Sequence, residues 1–385
     1  MKAIGLALAT ALASSVALGA PSSSAALDAE EPPFVDAIRG VTVGPIENAY
    51  HPGVGYGSDA YGRTLDECRR MGARWVAITP FGRVGDLGGR GIDPSFEKPF
   101  VENREDVRRA ITMAHDRGLA VMLVPHLWVE SGGWRAEIDP KTDAGWDAWA
   151  KSYGAFVRGW AEVAEASHVE LLSAGVELRS WVTTSRAPSF LGVIRDLRTV
   201  YHGPVTYSAN WDDVDQTLVL GALDVIGINA FYPLADKDGA PFGKLLEGGQ
   251  QVRTKVHGLA EAWRKPVLFT EIGYTTRPDP AIKPWEWPDG MKNVHVDEGA
   301  QANAYRALIA PLLDEPLFLG FFVWRVYADP DDVSQEAEWG FSPRGKQAEL
   351  VVRDAFAATW ARDGHRRRGW ATAARVPGLF DALVR

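Results

Sequence analysis

The sequence predicts a single-domain α/β protein folded as a (β/α)8 TIM barrel. Short apolar runs of strand length alternate with helical patterns or long loops, eight times over. The chain has 385 residues, enough for one large barrel, and no linker splits the alternation. Polar residues follow the apolar runs directly, at the strand ends where the loops of such a barrel meet.

The first strand is read at Ala37–Val43, with a helix over Asp59–Met71 that Gly72 ends. Arg74–Thr79 is the second strand, and its helix, Glu102–Arg117, is closed by Gly118, since glycine takes the left-handed conformation that stops a helix. Leu119–Pro125 is the third, followed by a long helix at Asp143–Ala166. There Trp146, Trp149, Tyr153, Phe156, Trp160 and Val163 recur at spacings of three and four, one helical face, which reads as core packing against a sheet. Val169–Ala174 is the fourth strand, with a helix over Ser189–Tyr201, and Val205–Ala209 is the fifth. Leu223–Asn229 is the sixth, with a helix near Gly243–Trp263. Pro266–Ile272 is the seventh, with a helix over Glu298–Leu313, and Phe318–Trp324 is the eighth, with a last helix at Lys346–Ala361.

The ends of the chain read differently. Lys2, the Ala- and Leu-rich run Ala3–Ala20 and the small residues Ser22–Ala26 have the order of a secretory signal peptide over residues 1–26, so export to the periplasm or beyond is expected. Residues 27–36 form a linker, 37–361 the catalytic barrel and 362–385 a locally basic extension. No second apolar run could span a bilayer, so no membrane anchor is expected.

A formal charge of −9 argues against a nucleic-acid partner, which needs a basic surface. Cys68 is the only thiol, so no intramolecular disulfide can form, and its place in a helical stretch reads as core packing. No second His stands at ligand spacing from His126 and no Cys pair exists, so neither zinc nor any cofactor is expected. Asp329, Asp331 and Asp332 lack the Gly and closing Glu of an EF-hand and read as a solvated acidic loop. Neither a Gly-Xaa-Ser-Xaa-Gly elbow nor a phosphate loop appears. Fifteen Trp exceed what a core needs and point to sugar, whose apolar faces stack on flat rings. The expected partner is therefore a polysaccharide or oligosaccharide, bound by a monomer.

The strand ends supply a coherent set. Strand four ends in Glu177 and strand seven in Glu271. A carboxylate at the end of a buried strand is costly, so it is either paired or raised in pKa. Two carboxylates flanking a cleft are what glycosidic cleavage needs: one protonates the leaving oxygen, the other attacks C1 or activates water. A Glu of ordinary pKa, about 4.3, is only roughly 0.2% protonated at pH 7, so burial or the second carboxylate's charge must raise the acid. Around the pair stand His126, Asn210, Trp211, Asn229 and Tyr232. His126 reads as a hydrogen-bonder to substrate or to its neighbours. Trp324 reads as the floor for the reacting sugar or as a buried barrel Trp, and Tyr232 as a partner of a catalytic Glu or as rim filling. Trp134 and Arg135, in the long loop after strand three, are expected to line the cleft. Trp285 and Trp287, after strand seven, suit stacking on extended subsites or pinning their own loop.

The stretches Ala73–Val76, Gly118–His126, Gly133–Ile138 and Val169–Leu178 resemble glycoside hydrolase family 113. So do Pro204–Asn210, Asp224–Leu234, Lys265–Tyr274, Ala281–Trp285 and Gln301–Tyr305, in order from about residue 38 to 360. The resemblance implies a retaining barrel hydrolase of β-1,4-linked mannans, with Glu177 as acid/base and Glu271 as nucleophile. Two positions depart from the family's pattern. Val176 stands where the residue before the acid is usually polar, and Asn229-Ala230-Phe231-Tyr232 replaces the usual Asp-Ala-Tyr-Tyr. These departures leave open another β-linked glycan, such as a glucan or an envelope polysaccharide. A silent glycan-binding barrel is the remaining alternative, against which the retained Glu pair speaks.

Overall fold

The computed structural model describes residues 34, 36–44, 53–95, 98–286, 295–331 and 338–363. The leader, most of the linker, the basic tail from residue 364, Trp287 and Asp332 lie outside the described residues.

Among the described residues there are ten strands: β1 (Ile38–Gly44), β2 (Trp75–Ile78), β3 (Phe81–Val84), β4 (Ala120–Leu123), β5 (His126–Val129), β6 (Leu171–Val176), β7 (Val205–Asn210), β8 (Ile226–Asn229), β9 (Val267–Ile272) and β10 (Phe318–Tyr327). Eight of them close a barrel in the order β1, β10, β9, β8, β7, β6, β4, β2. Every neighbouring pair is parallel, as helical crossovers require. The expected (β/α)8 architecture is therefore the observed one.

The helices are α1 (Asp59–Arg70), α2 (Phe100–His115), α3 (Asp143–Ala166), the single turn α4 (Arg179–Val182), α5 (Ala187–Leu197), α6 (Phe242–Trp263), α7 (Glu298–Leu312) and α8 (Gln347–Ala357). Side chains cap three of them at the N-terminus: Ser58 on α1, Thr142 on α3 and Asp297 on α7. Gly72 and Gly118, after α1 and α2, have φ of +95° and +70°, the stop conformation expected of them. Between β7 and β8 only 3-10 turns intervene among the described residues, and α8 ends at Ala357, four residues short of the reading.

Two apolar layers hold the barrel. Ile38, Ala77, Met122, Leu171, Leu268 and Phe322 belong to the smaller cluster, and a larger one joins strands to helices. Gly40 is required in β1, because a Cβ there would lie 2.2 Å from the Phe322 ring. The aromatic stripe of α3 is buried throughout, and Trp149 and Tyr153 pack on Trp181 of α4 at 6.0 and 5.4 Å, so the core reading holds. Cys68 is buried in the same core. Arg63 pairs with Asp331 at 2.6 Å and with Asp329 at 3.5 Å, which gives those acidic groups a protein counter-charge.

The second and third barrel strands end at Ile78 and Leu123, just before Pro80 and Pro125. After Pro80 and Pro125 the chain resumes pairing as β3 and β5, a separate parallel ribbon with Phe81 opposite His126 and Arg83 opposite Trp128. This ribbon raises one wall above the barrel mouth.

Candidate active site

Glu177 follows β6 directly and has φ of +52°, a left-handed conformation that costs a non-glycine residue about 1–3 kcal/mol. Two hydrogen bonds fix it there. The Glu177 amide donates to the Ser208 carbonyl at 2.9 Å, and the next amide, Leu178, donates to the Tyr207 hydroxyl at 2.6 Å. The turn aims the side chain into the mouth, where only 8% of the residue is exposed.

Three donors converge on the Glu177 carboxylate. Arg135 Nη1 and Trp134 Nε1 reach Oε2 at 2.6 and 3.0 Å, and Asn229 Nδ2 reaches Oε1 at 3.0 Å. The Thr270 hydroxyl donates to Asn229 Oδ1 at 2.9 Å, which fixes the amide with its nitrogen toward the carboxylate. Arg135 is anchored in turn, its Nε donating to the Leu127 carbonyl at 3.0 Å. The Arg179 guanidinium lies 4.8 Å from the Trp134 ring and is held by Asp213 at 2.7 Å and by Asp212. The loop after β5 is thereby fastened onto Glu177 from two sides.

Glu271 lies one residue before the end of β9, in register with Asn229 of β8, and is 7% exposed. Burial, and then the charge of Glu177, push its pKa up to about 8, while Arg135, Arg325 and the Asn229 amide pull it down. The two carboxyl groups are thus electrostatically coupled and share Asn229.

His126 brings Nε2 to 3.7 Å from Glu271 Oε1, a contact longer than a hydrogen bond. Burial, then the charge of Arg135, hold its pKa well below the usual histidine range, so the ring is neutral. Nδ1 lies 3.1 Å from the Leu127 amide and 3.4 Å from the Leu127 carbonyl, while Nε2 faces Glu271. Its ring packs on Phe81 at 4.7 Å and lies 6.2 Å from Trp324. Trp324 is half-buried beside the pair, with the Arg325 guanidinium 4.5 Å from its ring.

The remaining predicted residues separate into a rim and a wall. Trp211 and Trp285 stack at 5.4 Å with 22° between their planes, and Trp285 is 46% exposed. Asn210 is committed to Asp212, donating at 2.6 Å, and makes no bond to either Glu among the described residues. Tyr232 does not reach Glu271. Its ring is buried against Trp211 at 5.6 Å and Phe269 at 5.9 Å, and its hydroxyl finds no hydrogen-bond partner among the described residues. It fills the rim, because the strand end turns the ring behind Trp211 rather than into the mouth.

Arg325 is a site residue that the strand-end pattern does not single out, since attention there falls on Trp324. Its charge bears on both Glu271 and His126. Arg179 and Thr270 act one contact further out. No group of three metal-ligating side chains occurs among the described residues.

Two coupled carboxyls, one surrounded by donors and one buried, can divide between them the donation of a proton and the attack on a carbon. With tryptophan on the walls of a barrel mouth, that equipment defines a barrel glycoside hydrolase. The chain belongs to glycoside hydrolase family 113, whose family model matches residues 53–346. Among solved structures it is similar to the GH113 β-mannanase AaManA from Alicyclobacillus acidocaldarius, in complex with ManMIm. The two are 26% identical, with a TM-score of 0.73, covering 85% of this chain and 99% of the other. A GH113 β-1,4-mannanase complex is 22% identical over 83% of this chain and 99% of the other, with a TM-score of 0.71. GH5_18 from Streptomyces cattleya, in complex with GlcNAc, shares the fold at 16% identity and a TM-score of 0.55, over 84% of this chain and 80% of the other. No curated protein matches the chain.

Proposed function

We propose that this hydrolase cleaves β-1,4-mannosidic linkages by double displacement, with Glu177 as acid/base and Glu271 as nucleophile. The observation that carries the reading is the coupled, buried pair at the ends of β6 and β9, within a family whose solved members include β-mannanases. In the first step Glu271 attacks C1 while Glu177 protonates the departing glycosidic oxygen, giving a glycosyl ester on Glu271. In the second, Glu177 takes a proton from water, and the hydroxide so formed displaces Glu271 from C1. The leader-like N-terminus supports export, and a mature protein recovered from outside the cytoplasm should begin near residue 26 on N-terminal sequencing.

Proton placement constrains how the cycle starts. Without substrate, Glu271 keeps its proton at neutral pH, and Glu177 sits among three donors suited to a carboxylate. Attack needs the reverse. A glycosidic oxygen arriving at Oε2 must displace Arg135 and Trp134. Positive charge developing at C1 favours the anion of Glu271. Arg135 is therefore central to the pH dependence. Removing its charge in Arg135→Leu raises the pKa of Glu271. The limb of the kcat/KM profile set by Glu271 should move to higher pH, by about one unit. A profile measured at the same position would remove Arg135 from this role.

Val176 favours keeping a second substrate in view. Its side chain is buried in the small apolar cluster, so it offers no hydrogen bond to a sugar hydroxyl. Related barrel glycosidases place Asn there to hold the 2-hydroxyl. The protein should be incubated with mannan, glucomannan, cellulose and chitin and the new reducing ends counted. Release from mannan and glucomannan is the expected result; release from cellulose or chitin alone favours the other glycan. No release from any of them favours a binding protein.

A further inference from the structure

The ribbon of β3 and β5 has two unlike faces. Gly82, Val84, Leu127 and Val129 lie on one, packed into the main core, where a Cβ on Gly82 would lie 2.9 Å from Phe156 of α3. Phe81, His126, Arg83 and Trp128 lie on the other, because side chains alternate along each strand and parallel partners share a face. His126 ties this second face to the catalytic pair, at 3.7 Å from Glu271. Trp128, two residues further up the strand or about 7 Å, is 53% exposed. The ion pair of Arg83 and Glu130, 2.7 Å long and only partly buried, sits on the same stretch of ribbon.

An indole left half in water on a rigid strand, beside a charged donor and a charged acceptor, is matched to a sugar. The ring takes the apolar C–H face, and the charges take hydroxyls. We infer that Trp128, with Arg83 and Glu130, forms a subsite for a sugar unit neighbouring the one cleaved, on the wall that begins at His126. The inference rests on the mannanase reading above and deepens it. The occupant is a unit of the bound polysaccharide, because Trp128 shares one face of β5 with His126, which lies 3.7 Å from Glu271.

The test is steady-state hydrolysis of β-1,4-mannotriose and β-1,4-mannohexaose by wild type, Trp128→Ala and Trp128→Phe. Trp128→Ala should raise KM for the hexaose by about tenfold, with a smaller rise for the triose. Trp128→Phe should recover most of that loss, since a flat ring is restored. Wild-type KM in Trp128→Ala would overturn the subsite. So would a fall in kcat at unchanged KM, which marks a support for the wall rather than a contact to sugar. A wild-type enzyme inactive on both oligosaccharides would instead overturn the mannanase reading, and the subsite with it.

Discussion

Glu271→Gln should abolish mannan hydrolysis, with a loss of at least about 1,000-fold in kcat, and at the same time make the protein more stable at neutral pH. The first effect follows from the nucleophile's role: the amide keeps the shape of the side chain but cannot form the glycosyl ester. The second follows from burial. The folded-state pKa of Glu271 is about 8, against an ordinary 4.5 in the unfolded chain. Below pH 4.5 both states are protonated and the group is neutral toward folding. Between 4.5 and 8 the unfolded state ionises while the native state holds its proton, so wild-type stability falls as pH rises, and the loss is complete above 8. Gln escapes that loss, which is on the order of a few kcal/mol. Melting curves should show the two proteins nearly equal at pH 4 and separating by a few degrees by pH 8. Such an exchange of stability for activity is common where a charge is held in a dry site. Near-normal hydrolysis by Glu271→Gln would defeat the nucleophile assignment.

Glu177→Ala should lose about 100- to 10,000-fold on natural mannan, where the leaving sugar needs a proton. A mannoside with an activated phenol as leaving group departs without help, so the first step should be largely spared and the ester on Glu271 should accumulate. Burst kinetics would reveal it. This comparison also separates the two allocations of role. The donors gathered on Glu177 and the proton held by Glu271 would suit the reverse assignment if substrate left them undisturbed. In that case the activated substrate would rescue a Glu271 variant and not Glu177→Ala. Rescue confined to Glu177→Ala supports displacement of Arg135 and Trp134 by the glycosidic oxygen.

Most of the barrel was legible because its signals are periodic. The α3 stripe and the strand-length runs record the period of their element, and the glycine stops after α1 and α2 record a conformation that glycine takes most readily. Pro80 and Pro125 lack an amide to donate, and the barrel strands stop before them, but a second pairing begins at Phe81 and His126. The eightfold alternation has no place for this extra ribbon, so it is not legible in the pattern. The positive φ of Glu177 leaves no trace in sequence, since glycine would ordinarily mark it and the chemistry requires a carboxylate. Within the site, strand-end position found Glu177, Glu271 and Asn229, whose backbones the barrel places, and His126, which the ribbon places. It left Tyr232 between a bond to a catalytic Glu and rim filling, of which the structure shows the rim, and it did not single out Arg325, which stands within β10 because that strand runs on past Trp324 to Tyr327. Arg135 and Trp134 were found as cleft residues, but their direct hold on Glu177 needed the folded loop.

Proton NMR of the sugar released during cleavage of β-1,4-mannohexaose is the most direct test of double displacement at Glu271. Two successive inversions predict that the first reducing ends are β-anomers, with α-anomers appearing only as the product mutarotates. α-Anomers in the earliest spectra would contradict the mechanism.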